Sequence, residues 1–539
     1  RRETAERGIL SKLSIMKKQL FTLAILAFSV IIAHAQNIEV VGYQSGTWEA
    51  DTVFVVGDVS VEDSLHITAG TTVLFQGYYG IKVGEGATFN ALGTAADSIT
   101  FTVADTTGFY VFNNGRGGWN GIWLEKAKAS RFDYCRFQYG KAARDADQDG
   151  GALRIFGCND VEIGNSTLYC NFSREHGGAL NAENSKVVMH DCDVHNNLTY
   201  SEIDTIYFMY GGALRFLKCE VDITTTDFSH NNGQGAIGGA LSLDSCAANI
   251  DRCKFEYNYG INGGGLYLIR SNDLECRITN SLFANNISGH FGGGLAISDS
   301  SPLISNLTVV NNHSIGVNCG GIFFYQNSSP VLWNCIVYGN TNESTSEKPV
   351  QMWTWTFEGY QPSFYNCLVQ FGLENISNNE VISIYEDCLD EDPLFVDSER
   401  DNFHLSVNSP CINAGYTFET EGLDLDGNWR VCGDRIDIGA YEYSAFGINE
   451  MAHEKPQMHI VGNPISKASY AEIEFLKAGY VMAKVYSIDG KLLVDRNLGF
   501  SHVGPNRIAL GELFEPLTKG AYLLVVQGGG QTFSAKVIR

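Results

Sequence analysis

An internal repeat constrains this chain more than any other feature. Gly150-Gly151-Ala152-Leu153 returns as Gly177-Gly178-Ala179-Leu180, Gly211-Gly212-Ala213-Leu214 and Gly238-Gly239-Ala240-Leu241, then as Gly264-Gly265-Leu266, Gly293-Gly294-Leu295 and Gly320-Gly321-Ile322, at intervals of 25 to 34 residues. Seventeen to twenty residues after each aliphatic side chain stands an asparagine: Asn171, Asn197, Asn231, Asn258, Asn286, Asn312 and Asn340. An apolar residue precedes each by three places, from Leu168 to Val337. A period of this length belongs to stacked architectures, in which one unit cannot bury its apolar face alone.

Each unit holds three short alternating runs, for example Leu153-Arg154-Ile155, Val161-Glu162-Ile163 and the stretch around Leu168. They are too short and too turn-bounded for helices. Three strands per unit describe a coil, and stacked coils give parallel sheets about 4.8 Å apart in which like side chains pile on like. The asparagines then form an internal ladder at one corner, where an amide both donates and accepts. The double glycine serves another corner, where a positive φ or close backbone approach is needed. Composition agrees: 58 glycines against 10 prolines, with 44% apolar and 18% charged residues, favour continuous ladders with tight corners over disorder or coiled coil. The sequons at Asn171, Asn197, Asn286 and Asn312 fall on the ladder, so they are read as inward and unglycosylated.

With these motifs the chain resembles the right-handed parallel β-helix proteins, the superfamily that includes pectate lyases and polygalacturonases. The fold class expected is all-β: a parallel β-helix over 36–391 of ten or eleven coils, a rod of about 50 Å, followed by a small β-sandwich. Residues 392–443, with Asp392-Pro393-Leu394-Phe395, Ser409-Pro410-Cys411-Ile412 and Asp437-Ile438-Gly439-Ala440, resemble the choice-of-anchor Q segment of bacterial surface β-helices. They are expected to cap the open end of the solenoid. A polar linker over 444–457 leads to 458–539, with turns expected at Asn463-Pro464 and Asp489-Gly490. There Val485-Tyr486-Ser487-Ile488-Asp489-Gly490-Lys491, Gly520-Ala521-Tyr522-Leu523 and the terminal Lys536-Val537-Ile538-Arg539 resemble the C-terminal sorting domain of type IX secretion. That resemblance implies type IX secretion machinery as a partner and delivery to the bacterial outer surface.

At the other end, Lys17-Lys18, an apolar run from Leu20 to Ala33 and Ala33-His34-Ala35 read as a secretory signal within 1–35. No later segment is long and apolar enough to span a membrane as a helix. Net charge is −24, and −28 once residues 1–35 with six basic and two acidic side chains are set aside, which excludes sequence-independent nucleic-acid binding. Most of the 14 cysteines fall at repeat positions, Cys158, Cys219 and Cys246 at one and Cys135, Cys192, Cys253 and Cys335 at another. They read as small stacked side chains; Cys411 with Cys432 is the disulfide expected.

Between the inward aliphatic positions, Arg154, Glu183, Arg215, Asp244 and Tyr267 are expected outward on one sheet face. Guanidinium, carboxylate and aromatic groups there suit an extended extracellular polysaccharide or surface glycan, and equally a solvated face with ion pairs across coils. Two loops add aromatics: Tyr207 and Tyr210 in one, Trp353 and Trp355 in the other. Asp145, Asp147 and Asp149 have the D-x-D-x-D-G spacing of calcium ligands, the one cofactor the sequence offers, though Phe156 stands where an EF-hand carries glutamate. An acidic solvated turn accounts for the same residues. No catalytic motif is found: Gly289-His290-Phe291-Gly292 lacks the Gly-His-Gly of polygalacturonases, and His176 and His290 read as turn residues. The function expected is glycan binding or adhesion without catalysis; the alternative is a polysaccharide lyase or glycoside hydrolase, with Arg154 or Arg215 as base.

Overall fold

The structure is a computed structural model that describes residues 37–143, 148–200, 209–316, 318–343, 349–417, 422–431, 433–443, 459–461, 465–467, 469–475, 479–487, 491–501, 504–528 and 531–539. The expected signal, linker and the turns at Asn463-Pro464 and Asp489-Gly490 lie outside the described residues, as do Asp145, Asp147, Tyr207 and Cys432. Two compact units divide at Tyr443/Ser444.

The larger unit is a parallel β-solenoid. One coil runs through Leu153–Phe156 on a first face, Val161–Gly164 on a second and Thr167–Tyr169 on a third, then the short Phe172–Ser173. Each strand pairs in parallel with its counterpart one repeat on, Leu153 with Leu180, Val161 with Val187 and Leu168 with Val194. The fourth strand corrects the expectation of three per repeat; its counterparts build an eight-stranded sheet of their own. The second face stacks 13 strands, from Gly46–Trp48 to Ile384–Glu386, so the rod has more coils than the ten or eleven read from the repeat. The double-glycine signature marks only seven of the coils, so those outside it are undercounted.

The asparagine ladder is present and inward. Asn171 N–H and Nδ2 both donate to Asn197 Oδ1 at 3.0 Å, and the pattern repeats through Asn231, Asn258, Asn286 and Asn312 to Asn340. Each amide also donates to a carbonyl of the coil below, as Asn258 Nδ2 does to Phe228 O at 2.9 Å. All seven are buried, leaving the four sequon asparagines no room for a glycan. Gln351, which the repeat did not reveal, ends the column: Asn340 N–H and Nδ2 donate to its Oε1 at 3.0 Å, and its Nε2 returns to Asn340 O at 2.8 Å. Beside the ladder, Phe228, Phe255 and Phe283 stack with centroids 4.6 Å apart.

The cysteines belong to another column. Cys158 N–H donates to Ser185 Oγ, Cys219 N–H to Cys246 Sγ and Cys246 N–H to Ser271 Oγ, at 3.0, 3.4 and 3.1 Å. A thiol and a hydroxyl serve alike there, as small acceptors for an otherwise orphaned amide. The 13 described cysteines are free. Cys411 among them is buried in the contact between the C-terminal segment and the solenoid flank, and its expected partner Cys432 lies outside the described residues.

Corners depend on the left-handed region. Between the first and second faces Asn184, Lys218, Ser245, Arg270 and Asp299 all have φ between 45° and 55°. Gly177 at φ 57° turns the fourth corner, and a Cβ on Gly151 would sit 2.5 Å from the Gly178 carbonyl of the next coil, which is why that position is glycine.

Residues 395–443 lie along the flank of the later coils. Phe403, Leu405, Cys411, Ile438 and Ala440 cover Leu282, Ala284, Val310, Ile336 and Leu368, the outward side chains of the third face. Hydrogen bonds fix the contact: Ala440 N–H to Thr308 Oγ1 at 2.9 Å and Gly439 N–H to Asn334 O at 2.8 Å. The apolar surface this segment meets is thus on the side of the rod, where the expectation had placed it over the open end.

The second unit has antiparallel sheets of three strands (His459–Val461, Tyr470–Phe475, Gly504–Ala509) and four strands (Leu492–Ser501, Gly479–Ser487, Ala521–Gly528, Gln531–Ile538) around its own core, including Ile473, Val485 and Leu524. Its one α-helical turn is Gly511–Phe514. Among the described residues no helix is long and apolar enough to cross a membrane.

Candidate functional site

The register of the first face defines its outward side as two columns. One runs Lys82, Trp123, Arg154, Asn181, Arg215, Ser242, Tyr267, Ala296, Phe323, Trp353. The other, two residues on, runs Glu125, Phe156, Glu183, Leu217, Asp244, Ile269, Ser298, Tyr325, Trp355. The five outward residues read from the sequence therefore share a face, with Arg154, Arg215 and Tyr267 in the first column and Glu183 and Asp244 in the second. The face changes character along the rod, polar in the early coils and aromatic in the late ones.

Its middle is not the open stripe expected. Arg215, Asp244 and Tyr267 are 7%, 1% and 8% exposed. The turns after the fourth strands fold over them: Met209–Tyr210 pairs with Ala236–Ile237, and Ile237 packs with Tyr267, Tyr210 and Ile261. Under this cover Asp244 accepts from both Arg270 Nε and Nη2 in a bidentate pair, and burial pushes the Tyr267 hydroxyl up to about 12. Farther on, Trp353 packs edge-on against Phe323, while Trp355 is 50% exposed.

The accessible chemistry lies in the early coils. Arg154 stacks its guanidinium 4.2 Å from the centre of the Trp123 ring, and its Nε donates to Asp149 O. Arg215 Nη1 donates to Asn181 Oδ1 at 3.0 Å and Glu183 Oε1 at 2.8 Å. Two cavities meet at Trp123, of about 300 Å³ beside Asp58, Lys82 and Asn120, and about 270 Å³ beside Asp149, Arg154, Asn181 and Glu183.

Asp149, which lines the second cavity, belongs to a group that sequence reading missed. Asp149, Glu175 and His176 place carboxylate and imidazole atoms within 4.8 Å of one another, although the sequence alone reads His176 only as a turn residue. Asp149 and His176 flank glycine corners of successive coils, so stacking superposes them; the signal lay in the register. Burial, then Glu175, pushes the Asp149 carboxyl up to about 6, and its Oδ1 is buried with no hydrogen-bond partner. Burial, then the Arg215 charge, pushes His176 down to about 3.

Three such groups are a ligand set for a metal ion, but the imidazole is turned the wrong way. Tyr210 N–H donates to His176 Nδ1 at 3.2 Å, so the neutral ring carries its proton on Nε2. A metal-binding histidine normally donates from the second nitrogen, not accepts there. The arrangement suits proton exchange between a half-protonated carboxyl and its neighbours better than ligation. Of the expected calcium ligands only Asp149 is described, and it faces this group.

A stability consequence follows. The folded Asp149 holds its proton to about pH 6, against 3.8 for the ordinary carboxyl, so wild-type stability falls as pH rises from about 4 through 6. His176 acts oppositely, its neutral burial being disfavoured as pH falls from 6.5 towards 3. Asp149→Asn is expected to melt higher than wild type above pH 6, by on the order of 1 kcal/mol after screening, and to match it at pH 4. Melting curves across this range check it; a pH-independent difference would contradict the burial argument.

Comparison with known proteins bears on the scaffold. A family profile described as "Right handed beta helix region" matches residues 238–387. Those coils are a right-handed parallel β-helix. This chain is 25% identical over 188 residues to Metabotropic glutamate receptor-like protein R of Dictyostelium discoideum, covering 34% of this chain and 11% of that protein. The enzymatically active domain of Bacteriophage CBA120 tailspike protein 4 aligns over 89% of this chain and 61% of its own, at 12% identity and a TM-score of 0.20. This chain thus spans a small fraction of the first protein and less than two thirds of the second.

Proposed function

We propose that this is an exported bacterial surface β-helix that binds an extended polysaccharide along the early first face, without cleaving it. The observation that carries this reading is the accessible outward pair Trp123 and Arg154, stacked on each other where two cavities adjoin. Strand spacing sets these side chains about 4.8 Å apart, close to the pitch of a sugar chain, with an aromatic ring and a guanidinium as stacking and hydrogen-bonding partners. Export and delivery rest on the signal-like N-terminal segment and on the resemblance of 458–539 to type IX sorting domains.

A second reading, glycan cleavage, is favoured by one observation. Asp149 and Glu175 sit within 4.8 Å, near the separation of paired glycosidase carboxylates, and the raised pKa of Asp149 suits a general acid. Incubating the full chain with a panel of neutral and acidic polysaccharides, while recording both retention and new reducing or unsaturated ends, separates the two. The expected result is binding without product, weakened about ten-fold in Arg154→Ala. Product formation abolished by Asp149→Asn would replace the first reading with the second.

A further inference from the structure

The flank segment borders a third cavity, over the second face of the coils and not the first. It holds about 410 Å³ between the outward second face and the C-terminal segment, lined by Arg252, Arg277, Asn280, Asn306, Tyr416 and Arg430 among others. That volume suits one or two sugar units.

Arg430 gives the cavity its chemistry. It is 2% exposed, on the segment packed against the coils. Its Nη2 donates to the carbonyls of Asp437 and Gly439 at 3.2 and 3.0 Å, while Nε and Nη1 are buried without a hydrogen-bond partner. The charges of Glu442, Asp424, Asp437 and Asp251 act on it, yet none of these carboxylates accepts a hydrogen bond from Nε or Nη1. Asp424 accepts from the backbone of Asn428 and Glu442, and Asp437 from Asn413 and Tyr443. Glu442 comes no nearer than 3.9 Å to Nε and accepts from Asp437 N–H. A guanidinium with two unused donors in a dry site is costly unless something accepts from them.

The carboxylate on the opposite wall is spent as well. Asp251 accepts from Thr279 Oγ1, Asn280 Nδ2 and Arg252 Nε at 2.7, 2.7 and 2.9 Å, and Asn306 Nδ2 donates on to Asn280 Oδ1 at 3.0 Å. Arg277 closes the rim, its Nε on Glu275. Tyr416 supplies an aromatic ring to the lining, and behind it Trp333 lies 5.2 Å away, stacked on Tyr365 at 4.0 Å.

We infer that this flank cavity binds the anionic group of a sugar, a uronate carboxylate or a sulfate ester, between Arg430, Arg252 and Arg277, with Tyr416 against the ring. The inference stands apart from the first-face reading, since no residue is shared and either site can fail alone. Donor geometry on arginine matches a planar or tetrahedral oxyanion, and the aromatic wall distinguishes a sugar-borne anion from a free one.

The test is calorimetric titration of the full chain with glucuronic acid, glucose 6-sulfate, inorganic sulfate and glucose. Both acidic sugars are expected to bind, more tightly than inorganic sulfate and with no measurable binding of glucose. Arg277→Gln, at the half-exposed rim, is expected to weaken them about ten-fold while Arg507→Gln, at an exposed ion pair of the second unit, leaves them unchanged. Arg430→Gln should abolish binding; because it alters a buried position, its fold is checked by circular dichroism, and Arg277→Gln decides if it does not fold. Absence of binding by either acidic sugar, equal binding of glucose, or insensitivity to Arg277→Gln would overturn the inference. Inorganic sulfate binding as tightly as both acidic sugars would overturn the sugar assignment.

Discussion

Asn258→Ala is expected to destabilise the β-helix by about 3–5 kcal/mol, although the side chain removed is small and polar. Its Oδ1 accepts from both Asn231 N–H and Asn231 Nδ2, and its Nδ2 donates to Phe228 O and Asn286 Oδ1. All of these groups are buried, so the substitution strands two donors below and leaves a carbonyl and an amide oxygen short of a donor, with no water to replace it. Asn258→Asp restores the acceptor but buries a charge and still loses the donor, so it too should destabilise. Asn249, a strand residue that donates to Asp222 at the exposed surface, is the control: Asn249→Ala should cost under about 1 kcal/mol. Denaturant unfolding followed by circular dichroism measures all three, and a near-neutral Asn258→Ala would mean that the amides do not stack as described.

Phe255→Ala is expected to cost a comparable 3–5 kcal/mol for a different reason. The ring lies between Phe228 and Phe283, 4.6 Å from each with planes within 4° of parallel, and is fully buried. Truncation opens a void bounded by two flat faces that neighbouring coils cannot close without breaking register. Phe255→Leu fills most of it and should cost under about 2 kcal/mol. Because contacts in a solenoid reach only adjacent coils, the damage should be local: amide exchange should rise in strands near Phe228, Phe255 and Phe283 and change little around Val73. Uniform loosening along the rod would argue against that nearest-neighbour picture.

How much of this was legible in the chain divides along the repeat. Positions that recur with one residue type, the asparagines and glycines, were readable because stacking demands the same chemistry at each level. Gln351 was not, since it stands 11 residues after Asn340, outside the 17 to 20 spacing that marks the column. The left-handed corners were obscured because Lys218, Arg252 and Tyr257 occupy positions where Asn and Asp signal the same geometry. On the first face the sequence placed Arg154, Arg215 and Tyr267 outward, which holds, but outward was equated with exposed. The turns over Arg215 and Tyr267 come from insertions of unequal length, and no periodicity states where an insertion folds. Arg430 beneath the second face is a long-range juxtaposition of the same kind, whereas His176 beside Asp149 follows from the repeat register.

The way the amide column ends has a consequence for how such a molecule changes size. Below, the Gly140 N–H donates to Asn171; above, a side chain one methylene longer turns back on the last rung and uses up its hydrogen-bonding capacity. Every intermediate rung is interchangeable, so a whole unit can be duplicated or lost between the two terminators without creating a new kind of junction. Length is then adjustable in quanta of one strand spacing, and the distance between the two sugar sites proposed above becomes a property that selection can tune without redesigning either.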